Sequence, residues 1–467
     1  METAFSDYFS KKNDSPDSAK PKRKYNQIEQ EEDLQPLQGK SVLIVDSALA
    51  TRRTLQEQCS QLGARTVAFA SSVPEVLNQL EARDIELILC EYSLEGERNG
   101  QQLLEELRVK KALPWRAAFV MVTGERVYSN VVSCVEFEPD DYLIKPFTVS
   151  TLSKRIIKLF NKKKNLRKVY DYLDDENYAI IPKMCSALFE EFPQYSNELE
   201  KISINSMFNA GQFAKAQEAL EAAMESNIRP WMEVLLAKIL MNSKKFNEAE
   251  EILSRVVKQN PEYISATDIY AEVLWEQNKP EQALQALEQL GARSMASTAR
   301  LRKLADLSVR LGDDTRSKTY LNKVIERSKN SALTQMHDYL QLSKIFIKEG
   351  RHEEAEKLTA KLKNVVNSVE LNFARDMMKI QKLTSEGSMT RAKEKIQEIF
   401  EKDKELISKL EADAKTSLLE QCFIVSMTKE GYALASQISK QNPNKAILDR
   451  IRFAMHGQKE QDGSKEN

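Results

Sequence analysis

Ser41-Val-Leu-Ile-Val45, closed by Asp46, is apolar almost throughout and rich in β-branched side chains. A strand that is apolar at consecutive positions, rather than at alternate ones, is covered on both faces. Working outward, the same texture returns in Glu86-Leu-Ile-Leu-Cys90, closed by Glu91, in Ala117 to Val122, followed by Thr123, and in Tyr142-Leu-Ile144, followed by Lys145-Pro146-Phe147. Thr66 to Phe69 is a weaker strand. Helical periodicity fills the gaps. Leu55, Cys59 and Leu62 share one face and stop at Gly63; Val73 to Leu80 follows Ser72 as N-cap; then come Gly100 to Lys110, Val127 to Val135 and Val149 to about Phe160. Buried strands alternating with helices predict a doubly wound, flavodoxin-like parallel sheet, with its functional crevice at the carboxyl ends of the strands. Asp46, Ser47, Glu91, Thr123 and Lys145 stand at those ends.

After Lys162 the strand signal stops and a repeat begins. A small residue follows a turn residue by five positions in Gly211/Ala216, Asn278/Ala283, Gly312/Ser317, Gly350/Ala355 and Gly387/Ala392. Gly and Asn suit the positive-φ position that ends a helix, and a small residue lets the next helix approach. The small positions Ala179, Ala216, Ala249, Ala283, Ser317, Ala355 and Ala392 are spaced by 37, 33, 34, 34, 38 and 37 residues. That is close to the 34-residue period of tetratricopeptide hairpins, which stack into an all-α superhelical solenoid. A weaker unit, Leu418 to Gln441 with Gly431 as its turn, closes the array.

The expected organisation is a polar, disordered tail at 1–38, an α/β domain at 39–162, helical repeats at 163–455 and a second polar tail at 456–467. Lys plus Arg number 69 and Asp plus Glu 70, a balance that argues against bulk attraction to nucleic acid or anionic lipid. No apolar run reaches the length of a membrane span and no secretory leader is visible, so a cytoplasmic protein is expected. The five cysteines lack metal or redox spacing and read as buried thiols in a reducing compartment. The lysine-rich run Asn161 to Lys168 is followed by Asp171, Asp174, Asp175 and Glu176, and reads as a solvated face between domains rather than a nucleic-acid site. The helix from Val149 is expected to run on towards Leu166 and Tyr170 as a semi-rigid junction. The repeats contain no nucleophile–base pair, phosphate loop or metal cluster, so no enzyme is expected.

Val-Leu-Ile-Val-Asp46, Leu-Ile-Leu-Cys-Glu91-Tyr-Ser-Leu-Glu-Gly, Val-Thr123-Gly-Glu and Tyr142-Leu-Ile-Lys145-Pro-Phe, in this order and spacing, resemble the response-regulator receiver (CheY-like) domain. With the repeats, the chain resembles a response regulator whose output module is tetratricopeptide repeats. The resemblance implies a phosphoacceptor carboxylate after the third strand, two acids after the first strand that hold Mg²⁺, a Thr and a Lys that bind phosphoryl oxygens, and an aromatic on the fifth strand that moves with them. Asp46 matches the first acid, Thr123 and Lys145 the phosphate contacts, Tyr142 the switch aromatic and Pro146 the proline that the family holds cis. Ser47 replaces the second metal acid and Glu91 replaces the phosphoacceptor aspartate. Metal affinity is therefore expected to be weak or absent and the domain to be a pseudo-receiver. Lys145 is expected to form a salt bridge to Glu91 or Asp46, and a paired Glu91 could hold one state. The expected function is a non-enzymatic adaptor with protein partners: a sensor kinase, another response regulator or a signalling enzyme. Two alternatives stay open: a phosphorylatable regulator whose receiver gates the repeats, and an assembly scaffold in which the receiver fold is a homodimerisation module.

Overall fold

The computed structural model of the protein describes residues 35–96, 98–124, 137–291, 297–363, 368–402, 407–408, 410–441, 447–448, 450–452 and 454–455. The helix expected at Val127 to Val135 and the tails at 1–34 and 456–467 lie outside them. The chain divides into two compact units, 1–296 and 297–467.

The first unit opens with a sheet of β1 (Ser41–Val45), β2 (Thr66–Ala70), β3 (Leu87–Cys90), β4 (Ala118–Thr123) and β5 (Asp141–Ile144). All pairings are parallel and the order is β2-β1-β3-β4-β5. Strands β1, β3 and β4 are buried at every position, as their unbroken apolar runs demand, while β2, at one edge, is buried only at Ala68 and Ala70. Helices α1 (Leu49–Gln61), α2 (Val73–Ala82), α3 (Gly100–Val109) and α4 (Val149–Asn165) cover both faces. Val73, Val76, Leu103, Leu104 and Leu107 pack with Leu43, Ile88 and Phe119 on one side. Leu55, Cys59, Leu152, Ile156 and Leu159 pack with Val42, Leu89 and Val120 on the other. Leu37, which the sequence placed in the polar tail, is fully buried in this second layer, and its N–H donates to Leu62 O at 2.9 Å. A single apolar residue between Gln and Pro shows no periodicity, so its burial was not legible. Gly100 has no room for a side chain: an added Cβ would lie 2.3 Å from Glu91 O.

Hairpins of helices follow. In the first unit these are α5 (Arg167–Asp174) with α6 (Ile181–Glu191), α7 (Ser196–Asn209) with α8 (Phe213–Ser226), α9 (Pro230–Asn242) with α10 (Phe246–Gln259), and α11 (Ile264–Glu276) with α12 (Pro280–Glu288). The second unit contains α13 (Thr298–Arg310) with α14 (Asp314–Ser328), α15 (Met336–Lys348) with α16 (His352–Leu362), α17 (Ser368–Ser385) with α18 (Met389–Lys402), and α19 (Ala412–Ile424) with α20 (Thr428–Ser439). The turn residues Gly211, Asn278, Gly312, Gly350 and Gly387 all have positive φ, and Lys244 and Ser426 do the same work at +60° and +61°. Ala216, Ala249, Ala283, Ser317, Ala355 and Ala392 are buried.

Two readings need correction. Ala179 is exposed in the turn before α6, so it anchors nothing. Glu176 carries the positive φ there, and the residue five positions on is the buried Ile181, whose size hid it from a search for small residues. Gly431 is not a turn but lies inside α20; it is the small residue five after the turn residue Ser426, and an added Cβ would meet the Phe423 ring at 3.0 Å. Ala216→Leu should therefore destabilise the array by about 1–3 kcal/mol through overpacking, whereas Ala179→Leu should change stability by less than about 0.5 kcal/mol. Urea unfolding of the two variants checks this.

Cys59, Cys185 and Cys422 are buried, and burial pushes their thiols up to about 12, which keeps them protonated and unreactive at neutral pH. Cys90 is buried as well, and Cys134 lies outside the described residues. Among the described residues no helix is long and apolar enough to cross a membrane.

Candidate functional site

The sheet order reverses direction between β1 and β3, and the crevice there opens at the carboxyl ends of the strands. Asp46 follows β1 and is 2% exposed. Its Oδ1 accepts from Ala48 N at 2.8 Å, and its Oδ2 accepts from Lys145 Nζ at 2.7 Å. Glu91 follows β3, its own N–H donating to Val45 O at 2.8 Å. Glu91 Oε1 accepts from Tyr92 N at 2.7 Å and Oε2 from Lys145 Nζ at 2.6 Å. One ammonium thus joins two carboxylates that come from different strands. Burial pulls the Lys145 pKa down, but the hydrogen bonds and charges of Asp46 and Glu91 outweigh it, and the net displacement is upward. Lys145 is itself placed by β5, its N–H donating to Thr123 O at 2.9 Å.

The other positions singled out in the sequence fall around this triad. Thr123 is fully buried at the end of β4. Tyr142 is 5% exposed, with its ring in the core layer of α2 and α3. The Lys145–Pro146 peptide bond is cis. Ser47 lies beside the triad, half-buried, at the start of the loop to α1. Sequence reasoning missed Arg52, whose Nη1 donates to Asp46 O at 2.6 Å and Ser47 O at 3.2 Å, holding that loop from one turn into α1.

It also missed two engaged members of the lysine run. Lys163 is 5% exposed; its Nζ lies 2.7 Å from Asp140 Oδ1 and donates to Trp115 O at 2.6 Å. Lys162 pairs with Glu198 at 3.1 Å, and Tyr170 Oη donates to the same carboxylate at 3.0 Å. Trp115 stacks on Tyr170 with the rings 5° from parallel, and its N–H donates to Asp174 at 3.0 Å. Lys162 and Lys163 are therefore an ionic junction between the sheet domain and the first hairpins, while Asn161, Lys164, Arg167 and Lys168 keep the exposed face that the sequence predicts. The partners of Lys163 sit 23 and 48 residues earlier in loops without any pattern of their own, and the partner of Lys162 sits 36 residues later on α7, so no local signal could reveal it. The junction helix does not run through: α4 ends at Asn165, and Leu166 (φ −98°, ψ 9°) separates it from α5. The junction residues Trp115 and Asp140 precede β4 and β5, at the end of the sheet opposite the triad.

Comparison with known proteins agrees with this division. The family described as response regulator receiver domain matches residues 42–157, and that described as tetratricopeptide repeat matches residues 207–272. Chemotaxis protein CheY-3 of Vibrio cholerae is 25% identical over 121 residues, which is 26% of this chain and 92% of that protein. Chemotaxis protein CheY of Pseudomonas aeruginosa is 26% identical over 121 residues, covering 26% and 96% respectively. Among solved structures, a CheY-like receiver domain protein of Methanospirillum hungatei matches 27% of this chain and 97% of its own at 24% identity and a TM-score of 0.25. A tetratricopeptide repeat protein of Parabacteroides merdae matches 55% and 98% at 16% identity and a TM-score of 0.39. Residues 42–157 are a receiver domain of the response-regulator family, and the helical hairpins that follow it include tetratricopeptide repeats.

Proposed function

We propose that the chain is a regulator of the two-component type whose receiver signals without accepting phosphate, and that its repeats act as a non-enzymatic adaptor for protein partners. The observation that carries this reading is Lys145 Nζ held at 2.7 Å from Asp46 and 2.6 Å from Glu91. The receiver resemblance assigns that lysine to a phosphoryl oxygen. Here one ammonium is shared between the two carboxylates in a pair of ion pairs. Glu91 also reaches further than aspartate by one methylene, and turns one oxygen back onto Tyr92 N.

The family's Mg²⁺ does not fit this donor set. A divalent ion of that kind prefers several hard oxygen donors in octahedral array. Position 47 offers a neutral hydroxyl, and Asp46 and Glu91 each already share an oxygen with an ammonium. No group of three or more His, Cys, Asp or Glu side chains suited to a metal occurs among the described residues. No phosphoryl-transfer step is therefore assigned to this pocket.

The triad also supports a locked state, in which Glu91 holds Lys145 as an aspartyl phosphate would hold it in an active receiver. Partners follow from the two module types: a sensor kinase, another response regulator, or a signalling enzyme bound by the repeats. The test is intact-mass measurement after incubation with acetyl phosphate and Mg²⁺. The wild-type mass should not change, while the Ser47→Asp/Glu91→Asp variant, which restores the family's acids, serves as the positive control. A stoichiometric phosphoryl adduct on the wild-type chain overturns the reading. For the locked state, Glu91→Ala should weaken capture of the repeat region's partner at least tenfold; unchanged affinity would reject it.

A further inference from the structure

The second unit buries charges on the first helices of several of its hairpins. Arg302 on α13 makes a two-pronged pair with Asp338 on α15, both oxygens at 3.0 Å from Nε. Asp338 is fully buried. One turn along α13, Asp306 Oδ1 lies 3.7 Å from Nε2 of His337. His337 is 5% exposed, and neither ring nitrogen has a hydrogen-bond partner among the described residues. On α19, Asp413, Ser417 and Glu420 recur at intervals of four and three and so share one face. Asp413 Oδ2 accepts from His337 N at 3.2 Å, tying that face to α15.

One guanidinium fills the space between these groups, and it comes from outside the hairpins. Arg450 lies in a helical stretch at 447–448 and 450–452, beyond α20. Its Nη1 donates to Asp413 Oδ1 at 2.6 Å, its Nε to Glu420 Oε1 at 2.9 Å and its Nη2 to Ser417 Oγ at 3.1 Å. All three guanidinium nitrogens are thus engaged by a single helix face. Asp306 adds a third carboxylate at longer range. Ile451, the next residue, is 6% exposed, so the contact combines an arginine anchor with an adjoining apolar one.

This arrangement has the chemistry of a recognition site rather than of a plain helix cap. A cap needs apolar cover. A planar fork satisfied at every nitrogen selects arginine over lysine, because an ammonium cannot reach three acceptors spaced along two turns. We infer that the face formed by Asp413, Ser417 and Glu420, backed by His337 and Asp306, is a binding site for an arginine-bearing helix of a protein partner, and that the chain's own Arg450 fills it in cis until a partner displaces it. Charge complementarity identifies the occupant: Asp413 and Glu420 bond the guanidinium directly, and Asp306 adds negative charge at longer range. The inference rests on the reading of the repeats as protein-binding elements and names the side chain they read.

The experiment uses the full-length chain and two labelled peptides, residues 447–455 with the native sequence and the same peptide with Arg450→Ala. The Arg450→Ala chain should bind the native peptide at least tenfold more tightly than wild type does, because its site is open. The alanine peptide should bind neither chain, and adding Glu420→Gln to the Arg450→Ala chain should weaken the native peptide at least tenfold. Equal binding of both peptides, or binding of neither to an Arg450→Ala chain with wild-type circular dichroism and melting, overturns the inference. If that chain fails to fold, hydrogen exchange over 447–455 in the wild-type chain is the readout. Excess native peptide should raise exchange there and the alanine peptide should not; no difference between them is fatal to the idea. Capture of a protein partner that persists undiminished in a Glu420→Gln chain would sink the site while leaving the repeats' role as protein-binding elements intact.

Discussion

Lys145→Met should lower the stability of the receiver domain by about 3 kcal/mol at neutral pH, which is roughly 10 °C in its melting midpoint. The reason is the company Lys145 keeps. Asp46 and Glu91 have side-chain exposures of 4% and 14%, and both face the ammonium within 2.7 Å. Taking away one partner of a buried ion pair costs more than the pair contributes, because it leaves unpaired charge in a poorly hydrated site. Here it leaves two carboxylates together. Lys145 itself is 22% exposed, so the low end of the range for buried pairs applies.

The pH dependence separates this account from a general packing loss. The signature lies at alkaline pH, where the wild type can lose the charge of Lys145 and the variant has none to lose. The folded-state pKa of Lys145 is raised, so its contribution is fully present below the unfolded value of about 10.4 and is lost as the pH rises through the folded one. Thermal melts of both proteins between pH 8 and 12 decide the matter: the deficit of the variant should narrow above about 10.4, and a deficit that does not vary with pH would mean that the ammonium is not what holds the two acids. With Ser47 in place of an acid, one ammonium is shared by the two carboxylates that remain, Asp46 and Glu91.

The parts of this molecule that were legible in the sequence are those in which one residue's neighbours in the chain report its environment. The runs in β1, β3 and β4 are apolar at every position because both faces of a parallel sheet are covered. The residues at their carboxyl ends then converge by topology, which is why Asp46, Glu91 and Lys145 could be grouped before any distance was known. The repeat register was legible for the same reason: Gly211 and Ala216 are five apart, and both are constrained by one turn. Where the fold uses a different residue for the same job, the pattern failed. Lys244 and Ser426 take the positive φ usually given to Gly or Asn, and Ile181 takes the place of a small residue. Charges were the least legible. Lys163 and Arg450 are fixed by acids 23 and 37 residues earlier in the chain, and nothing in their own surroundings distinguishes them from solvated lysines and arginines.

Lys163→Met should destabilise the first unit by about 3–5 kcal/mol, the range for stranding a buried charge. Lys163 and Asp140 have side-chain exposures of 5% and 11% and sit 2.7 Å apart. Burial alone would raise Asp140, yet Lys163 and Arg108 hold its carboxyl below the usual range; burial depresses the ammonium of Lys163, and Asp140 only partly restores it. The pair is therefore costly to assemble and costlier to break. Once Lys163 is gone, Asp140 keeps Arg108 at 3.9 Å and the N–H of Phe119 at 2.9 Å. The depressed pKa of Asp140 fixes the sign: its contribution is present above the unfolded carboxyl value of about 3.9 and is lost as the pH falls through the folded one. Adding Asp140→Asn to Lys163→Met should recover part of the loss, because the amide still accepts from Phe119 N and carries no charge. A coupling below about 0.5 kcal/mol in that double-mutant cycle would show that the two residues do not act as a pair. The effect should also reach the receiver's pocket. Asp140 and Lys145 bracket β5, five residues or roughly 16 Å apart along an extended strand, so the strand that presents Lys145 to Asp46 and Glu91 is the one anchored to the repeats. If β5 is the link between the halves, calorimetry of the wild type should show the receiver and the first hairpins melting in one transition. The Lys163→Met chain should show two, and a single unbroken transition in that variant would mean that the coupling runs through other contacts.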